Sequence, residues 1–260
     1  MSFFEIYITG YGVIMLFMAL VWLVSVRITN ASIVDMIWGF VFVVAAVAYF
    51  AFTDGYETRK WLVLILTVIW GMRLSLHLTA RNWGKPEDFR YQKFRERYGA
   101  DRYWWVSFFQ VYLLQGTILW FVSLPLLAAQ YHETSANLTI FDVLGVIVWG
   151  IGIFFEAVGD WQLTRFKANP ANKGKVLNTG LWRYTRHPNY FGDSMVWWGL
   201  FLIAVSTHWG ILTIISPLFM TFLLMRVSGV KLLEKTLKEK PGYEEYIRRT
   251  SAFLPMPPKD

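Results

Sequence analysis

The sequence predicts an all-α, polytopic membrane protein: a bundle of about seven transmembrane helices, with the N-terminus outside and the C-terminus cytoplasmic. Three observations carry that expectation. Of the 260 residues, 55% are hydrophobic and only 17% charged, with a mean hydropathy of +0.38; soluble domains carry roughly a quarter charged residues. Apolar stretches close to the ~20 residues needed to cross a bilayer recur along the chain. The basic residues gather in alternate connections between those stretches, as membrane topology requires.

The stretches run over about 6–26, 33–52, 61–79, 104–130, 139–160, 189–206 and 208–226. The first begins beside Glu5 rather than a basic segment and lacks a small-x-small cleavage site, so it reads as a transmembrane helix and not a signal peptide. A turn near Thr207 and His208 separates the last two, which read as a helical hairpin. Of the 25 Lys and Arg residues, all but Arg59, Lys60 and Arg73 follow span one, lie between spans three and four or five and six, or lie in the tail. The positive-inside rule makes those segments cytoplasmic. The 14 Trp, 13 Tyr and 21 Phe suit the two membrane interfaces. With no repeat and no long linker, residues 1–260 read as a single membrane-embedded domain.

Several function classes fall away. Cysteine is absent, which excludes a disulfide scaffold, Cys-ligated zinc, iron–sulfur clusters and thiol nucleophiles. His77, His132, His187 and His208 are dispersed, so no metal site is expected. The net charge of +7 follows topology and implies no nucleic-acid partner. Gly150-Ile151-Gly152 is a GxG inside span five with no strand before it, as Gly10-Tyr11-Gly12 is inside span one, and neither GxxxxGK[ST] nor GxSxG occurs.

Polar residues in the spans are the functional candidates, because a charge at mid-bilayer costs about 3 kcal/mol on insertion scales. Asp35 lies in span two. Arg73, His77 and Arg81 recur at i, i+4 and i+8 on one face of span three. Gln110, Tyr112 and Gln115 open span four. Glu156 and Asp160 are i, i+4 in span five, with Arg165 and Lys167 beyond. Each alone could be interhelical glue or a snorkelling end-residue; together they imply a polar cavity.

Two basic segments add detail. ARNWGKPEDFRYQKFRERYG mixes both charge signs with aromatics. In KANPANKGKVLNTGLWRYTRHPNYFGD, Gly174 and Gly180 permit tight turns, and Lys173, Lys175, Arg183 and Arg186 can meet phosphates. Pro188 suits a first helical turn; Asn189 and Tyr190 follow it, where backbone donors favour an anion. A basic juxtamembrane loop touching anionic lipid would have the same chemistry, and the residues alone leave both readings open.

The run LNTGLWRYTRHPNYFGD, with the hairpin and a tail containing LLEKTLKEKPGYEEYIRRTSAFLP, resembles the C-terminal domain of the steroid 5-alpha-reductase superfamily, in particular its bacterial branch of uncharacterised steroid-reductase-like membrane proteins. Sterol reductases and the lamin B receptor carry a similar RHPNYxGD element. The resemblance covers about residues 155–255 and continues more weakly through LLQG at 113–116 and RNWGKPEDFRY at 81–91. It implies an NADPH site, a lipid or steroid-like substrate entering from the bilayer, and a bacterial inner-membrane location. On the cofactor side it implicates Arg81, Asp160, Arg165, Lys167, Arg186, His187, Asn189, Tyr190, Gly192, Asp193, Glu234, Tyr243 and Tyr246.

That superfamily uses a Glu and a Tyr to polarise the substrate's enone oxygen. Here Leu78 stands at the Tyr position, span two has no Gln-Glu pair, and Glu156 stands where the animal enzymes have Asn. The catalytic candidates are therefore His77 first, then Asp35 and Tyr112. The expected reaction is NADPH-dependent reduction of an activated C=C bond in a steroid or other lipid. Two alternatives compete. One is an S-adenosylmethionine-dependent membrane methyltransferase of the isoprenylcysteine or phospholipid type, which carries a similar RHPxYxG element. The other is a non-enzymatic lipid binder that keeps the fold.

Overall fold

A computed structural model describes residues 1–131, 137–227, 229–238 and 240–259, the side chains of Lys235 and Thr236 apart. His132 lies outside the described residues. Among them the chain is helical and without strands, with one isolated bridge between Thr185 and Ser251. Five helical runs are long and apolar enough to cross a membrane: Phe3–Arg27, Glu57–Asn82, Tyr103–Val122, Ile140–Ala168 and Gly210–Glu234. They mark the chain as an integral membrane protein. It divides into two compact units, Met1–Leu138 with Ser206–Gly210, and Thr139–Val205 with Ile211–Asp260.

The first unit opens with α1 (Phe3–Arg27), started by a capping box in which the Ser2 side chain accepts from the Glu5 N–H and Glu5 accepts from the Ser2 N–H. The expected span 33–52 is divided into a single turn, α2 (Ile33–Met36), and α3 (Trp38–Phe52); its 15 residues are short of the ~20 that span comfortably. α3 packs on α4 (Glu57–Asn82) at Gly39 and Gly71, where a Cβ on either would sit 2.5 Å from the other's carbonyl oxygen. Arg59 and Lys60 begin α4 and are both buried. Arg59 Nη2 donates to the Asn137 carbonyl at 3.0 Å, and Lys60 Nζ donates to the Thr53 carbonyl at 2.5 Å.

α5 (Phe89–Tyr98) and α6 (Tyr103–Ser107) follow, then a wide π-helical run over Phe108–Leu113 that continues into α7 (Leu114–Val122) and α8 (Leu124–Gln130). The apolar stretch 104–130 is thus interrupted at Ser123. Pro125 sits in the first turn of α8, where its missing N–H cannot extend the α7 ladder. The Ser123 hydroxyl donates back to the Trp120 carbonyl at 2.7 Å.

In the second unit, α9 (Ile140–Ala168) is capped by Thr139 and Asp142 and packs along α10 (Pro188–Val205). Gly145, Gly152 and Gly159 recur every seven residues on α9, opposite Gly192 and Gly199 on α10. A Cβ at Gly192 would meet the Glu156 backbone nitrogen at 2.4 Å, and one at Gly199 would meet the Trp149 nitrogen at 2.6 Å. The two backbones touch, and the seven-residue period is that of a shallow left-handed crossing. α10 starts at Pro188, as the sequence predicts. Its first turns carry Asn189, Asp193 and Ser194 and are too polar for α10 to rank with the five spans. α11 (Ile215–Phe222), α12 (Val230–Leu237) and α13 (Tyr243–Arg249) complete the unit.

Candidate functional site

In the second unit the segment between α9 and α10 folds back on the C-terminal half of α9. Gly174 and Gly180 both take positive φ, +81° and +61°, the turn-forming role expected of them. A Cβ at Gly180 would also lie 2.5 Å from Gln162 Nε2 and displace that amide. Gln162 Oε1 accepts the Leu181 N–H at 3.0 Å, and the Trp182 indole donates to the Gly159 carbonyl at 3.1 Å. These bonds hold open a cleft of about 340 Å³ whose lining includes Trp161, Gln162, Arg165, Phe166, Asn169 and Asn172. The Arg165 guanidinium lies 5.5 Å from the centre of the Trp161 ring. Lys167 is exposed two residues further along α9.

At the start of α10, Asn189 Nδ2 donates to Asp160 Oδ1 at 3.1 Å, so the buried Asp160 on α9 and the half-buried Asn189 form one unit. Asp193 is buried a turn further on. Arg186 faces the other way. Its Nε and Nη2 donate to Glu234 Oε1 at 2.8 and 2.7 Å, and its Nη1 donates to the carbonyls of Ile247, at 3.3 Å, and Thr250. Its backbone N–H donates to Ser251 at 2.9 Å.

His187, also buried, sits 3.3 Å from the same Glu234 oxygen and stacks on Tyr190, ring centres 5.6 Å apart. The Tyr246 hydroxyl donates to the Trp182 carbonyl, and the Thr185 hydroxyl donates to Phe253 at 2.9 Å. Arg186, His187, Glu234 and Tyr246 thus tie the C-terminal tail to the loop before α10. Burial, with the Glu234 charge adding to it and Arg186 opposing, pushes the Tyr243 phenol up to about 12. Tyr246 is likewise raised by burial.

The first unit holds the other candidates. The Asp35 carboxylate accepts from Arg90 Nη2 at 2.7 Å and from the Tyr91 hydroxyl at 2.8 Å, and Gln115 Nε2 donates to Tyr91 at 3.3 Å. Arg90 also serves Asp88, which caps α5: its Nε and backbone N–H reach Asp88 Oδ1 at 2.8 and 3.0 Å. Burial alone would raise the Asp88 carboxyl, but the Arg90 hydrogen bonds and charge outweigh it and hold the group below its ordinary value. Burial, then the Asp35 charge, raises the Tyr91 phenol.

Tyr112 is fully buried and donates to the Ala31 carbonyl at 3.1 Å. His77 is half-buried on α4. Arg81, a turn beyond, is exposed, with Nε 3.4 Å from Asn82 Oδ1. Tyr91 is the residue that sequence reasoning passes over. Its loop is conspicuous for mixed charge and aromatics, but no local pattern pairs it with a carboxylate 56 positions earlier.

Residues 21–250 match the family described as "Protein of unknown function (DUF1295)". The chain is 22% identical over 259 residues to an uncharacterized protein of Schizosaccharomyces pombe, a match covering 90% of this chain and 75% of that protein. It is also 36% identical over 78 residues to a "Probable O-methyltransferase" of Ustilaginoidea virens, which covers 30% of this chain and 27% of that one. No solved structure matches at a comparable level.

Proposed function

This chain belongs to the DUF1295 family, and from that premise we propose that it is an NADPH-dependent reductase of an activated, enone-like C=C bond in a steroid or other lipid. The family falls in the steroid 5-alpha-reductase-like superfamily. The observation that carries the reading is the cleft beside α9. Arg165 offers a forked cation for phosphate. Gln162, Asn169 and Asn172 offer amides for hydroxyls and phosphate esters, and Trp161 and Phe166 offer flat apolar faces to a planar ring. About 340 Å³ falls within the roughly 300–1,000 Å³ of small-molecule sites.

The exposed Lys167, Lys173, Lys175 and Arg183 add positive potential, which favours the extra 2′-phosphate of NADPH over NADH. These residues fit the cofactor's phosphate-rich end. When bound, the cofactor supplies the hydride; the chain supplies orientation, charge and the proton. For the proton, the proposal keeps His77, Asp35 and Tyr112 and adds Tyr91, whose hydroxyl donates to Asp35 at 2.8 Å. The same reading takes α3 and α10 as spans beside the five. That gives seven, with the N-terminus outside and the C-terminus cytoplasmic, in a bacterial inner membrane from which the lipid substrate enters.

One observation favours a second reading. The likeness to the Ustilaginoidea virens protein suggests an S-adenosylmethionine-dependent methyltransferase, for which the aromatic part of the cleft would suffice. Calorimetric titration of Trp161→Ala and Arg165→Ala with each cofactor separates the two. The reductase reading expects Arg165→Ala to weaken NADPH at least tenfold, since a hydrogen bond to a charged group contributes about 1.5–3 kcal/mol. Unchanged NADPH affinity in both variants removes the cleft as its site. Tight S-adenosylmethionine binding that ignores Arg165 selects the methyltransferase.

A further inference from the structure

From a second pocket, in the first unit, we infer that the chain carries a binding site for a phospholipid headgroup bearing a phosphate and free hydroxyls, as in phosphatidylglycerol. The pocket, of about 130 Å³, lies where α1 ends; its lining includes Ser25, Thr29, Arg95, Tyr103, Trp104 and Ser107. Tyr103 is 1% exposed, yet its hydroxyl has no hydrogen-bond partner among the described residues. A buried hydroxyl without a partner is costly, so a group inside the pocket is the natural recipient of its proton.

Arg95 supplies the second donor. Its Nε and Nη2 reach the two Glu87 oxygens at 3.1 and 2.9 Å, and Nη2 also reaches the Thr29 carbonyl at 3.4 Å, which leaves Nη1 with no hydrogen bond among the described residues. Glu87 does not repel an anion strongly, because Arg95 and the Ala31 N–H, at 2.7 Å, neutralise and engage it. Ser25 and Ser107 donate their hydroxyl protons to the carbonyls of Trp22 and Trp104, at 2.7 and 3.0 Å. With those protons committed, their oxygens can serve a ligand only as acceptors. Two donors suit phosphate oxygens; two acceptors suit headgroup hydroxyls.

The surroundings place this chemistry at a membrane surface. Trp22 donates to the Trp104 carbonyl at 2.8 Å with the two rings stacked, and Trp104 and Trp105 are exposed. Such indoles settle at the headgroup level. Arg27, Arg97 and Arg102, all exposed, add the juxtamembrane positive charge that draws anionic lipid. This inference is independent of the cofactor cleft.

The test titrates detergent-purified full-length protein with phosphatidylglycerol, phosphatidylcholine and inorganic phosphate, read by native mass spectrometry and thermal melting. Phosphatidylglycerol is expected to bind about tenfold more tightly than phosphatidylcholine. Tyr103→Phe should cost that lipid about tenfold, with its lipid-free melting unchanged, because the hydroxyl has no internal bond to lose. Ala100→Leu, at an exposed position on the rim, should block the pocket and abolish the preference; it decides the matter if Tyr103→Phe does not fold. Equal binding of both lipids, or variants indistinguishable from the parent, would mean the pocket holds only water and would overturn the inference. Inorganic phosphate matching phosphatidylglycerol in affinity would overturn the lipid as the source of the anion.

Discussion

Arg186 is where loop chemistry and structure assign different jobs, and replacing it with Ala separates them. In the sequence it is a loop cation beside a glycine-rich turn. In the fold it is buried and donates to Glu234 twice and to two tail carbonyls. Removing one partner of a buried ion pair costs about 3–5 kcal/mol, since the other charge is left without compensation. At 1.4 kcal/mol per factor of ten, even the lower figure opens the tail about a hundredfold more often. Trypsin cleavage at Arg248 and Arg249, followed by mass spectrometry, reads this directly, because cleavage tracks the open population when reclosing is fast. Arg186→Lys keeps the charge but loses the fork that serves a carboxylate and two carbonyls together, and should fall in between. Tail cleavage in Arg186→Ala within twofold of the parent would refute the brace and return Arg186 to the role of ligand-facing cation.

Three further outcomes are expected. Gly192→Val must drive α9 and α10 apart, because its Cβ would lie 2.4 Å from the Glu156 backbone nitrogen. Overpacking of this kind costs upwards of about 1–3 kcal/mol, so an unchanged melting temperature would contradict the close backbone contact. Tyr91→Phe removes one of two partners of Asp35; if this pair delivers the proton, turnover falls while NADPH affinity holds, and a parallel loss of both would make Tyr91 structural. Asp88 is held below its ordinary 3.8. The stability it contributes is thus present above that pH and lost as pH falls through its folded value. The melting difference between the parent and Asp88→Asn should therefore shrink from pH 6 toward pH 3, and a constant difference would contradict the Arg90 contacts.

The helices were legible where apolar run length alone decides them: α1, α4 and α9 fall on stretches 6–26, 61–79 and 139–160, though α4 and α9 run on through polar turns to Asn82 and Ala168. Pro125 announced the break after α7, but hydropathy averaged across it and joined two helices into one stretch. Asp35 in span two overstated that span for the same reason, since its turn folds toward Arg90 and Tyr91 instead of continuing α3. The site was legible in its local parts. Positive φ at Gly174 and Gly180 and the helix start at Pro188 follow from residue type and spacing. What sequence could not show is pairing across 47 to 64 positions, as between His187 and Glu234 or Arg186 and Thr250. There the partner is one carboxylate or carbonyl among many, and packing alone selects it.

The central claim is that the cleft beside α9 takes a phosphate-rich dinucleotide. Titrating the purified parent protein with NADPH, NADH and S-adenosylmethionine side by side tests it most directly. The account predicts that NADPH binds, that NADH binds at least tenfold more weakly for want of the 2′-phosphate, and that S-adenosylmethionine does not bind. Binding of S-adenosylmethionine with no response to NADPH would contradict it, and silence from all three would leave the fold without the cofactor site assigned to it.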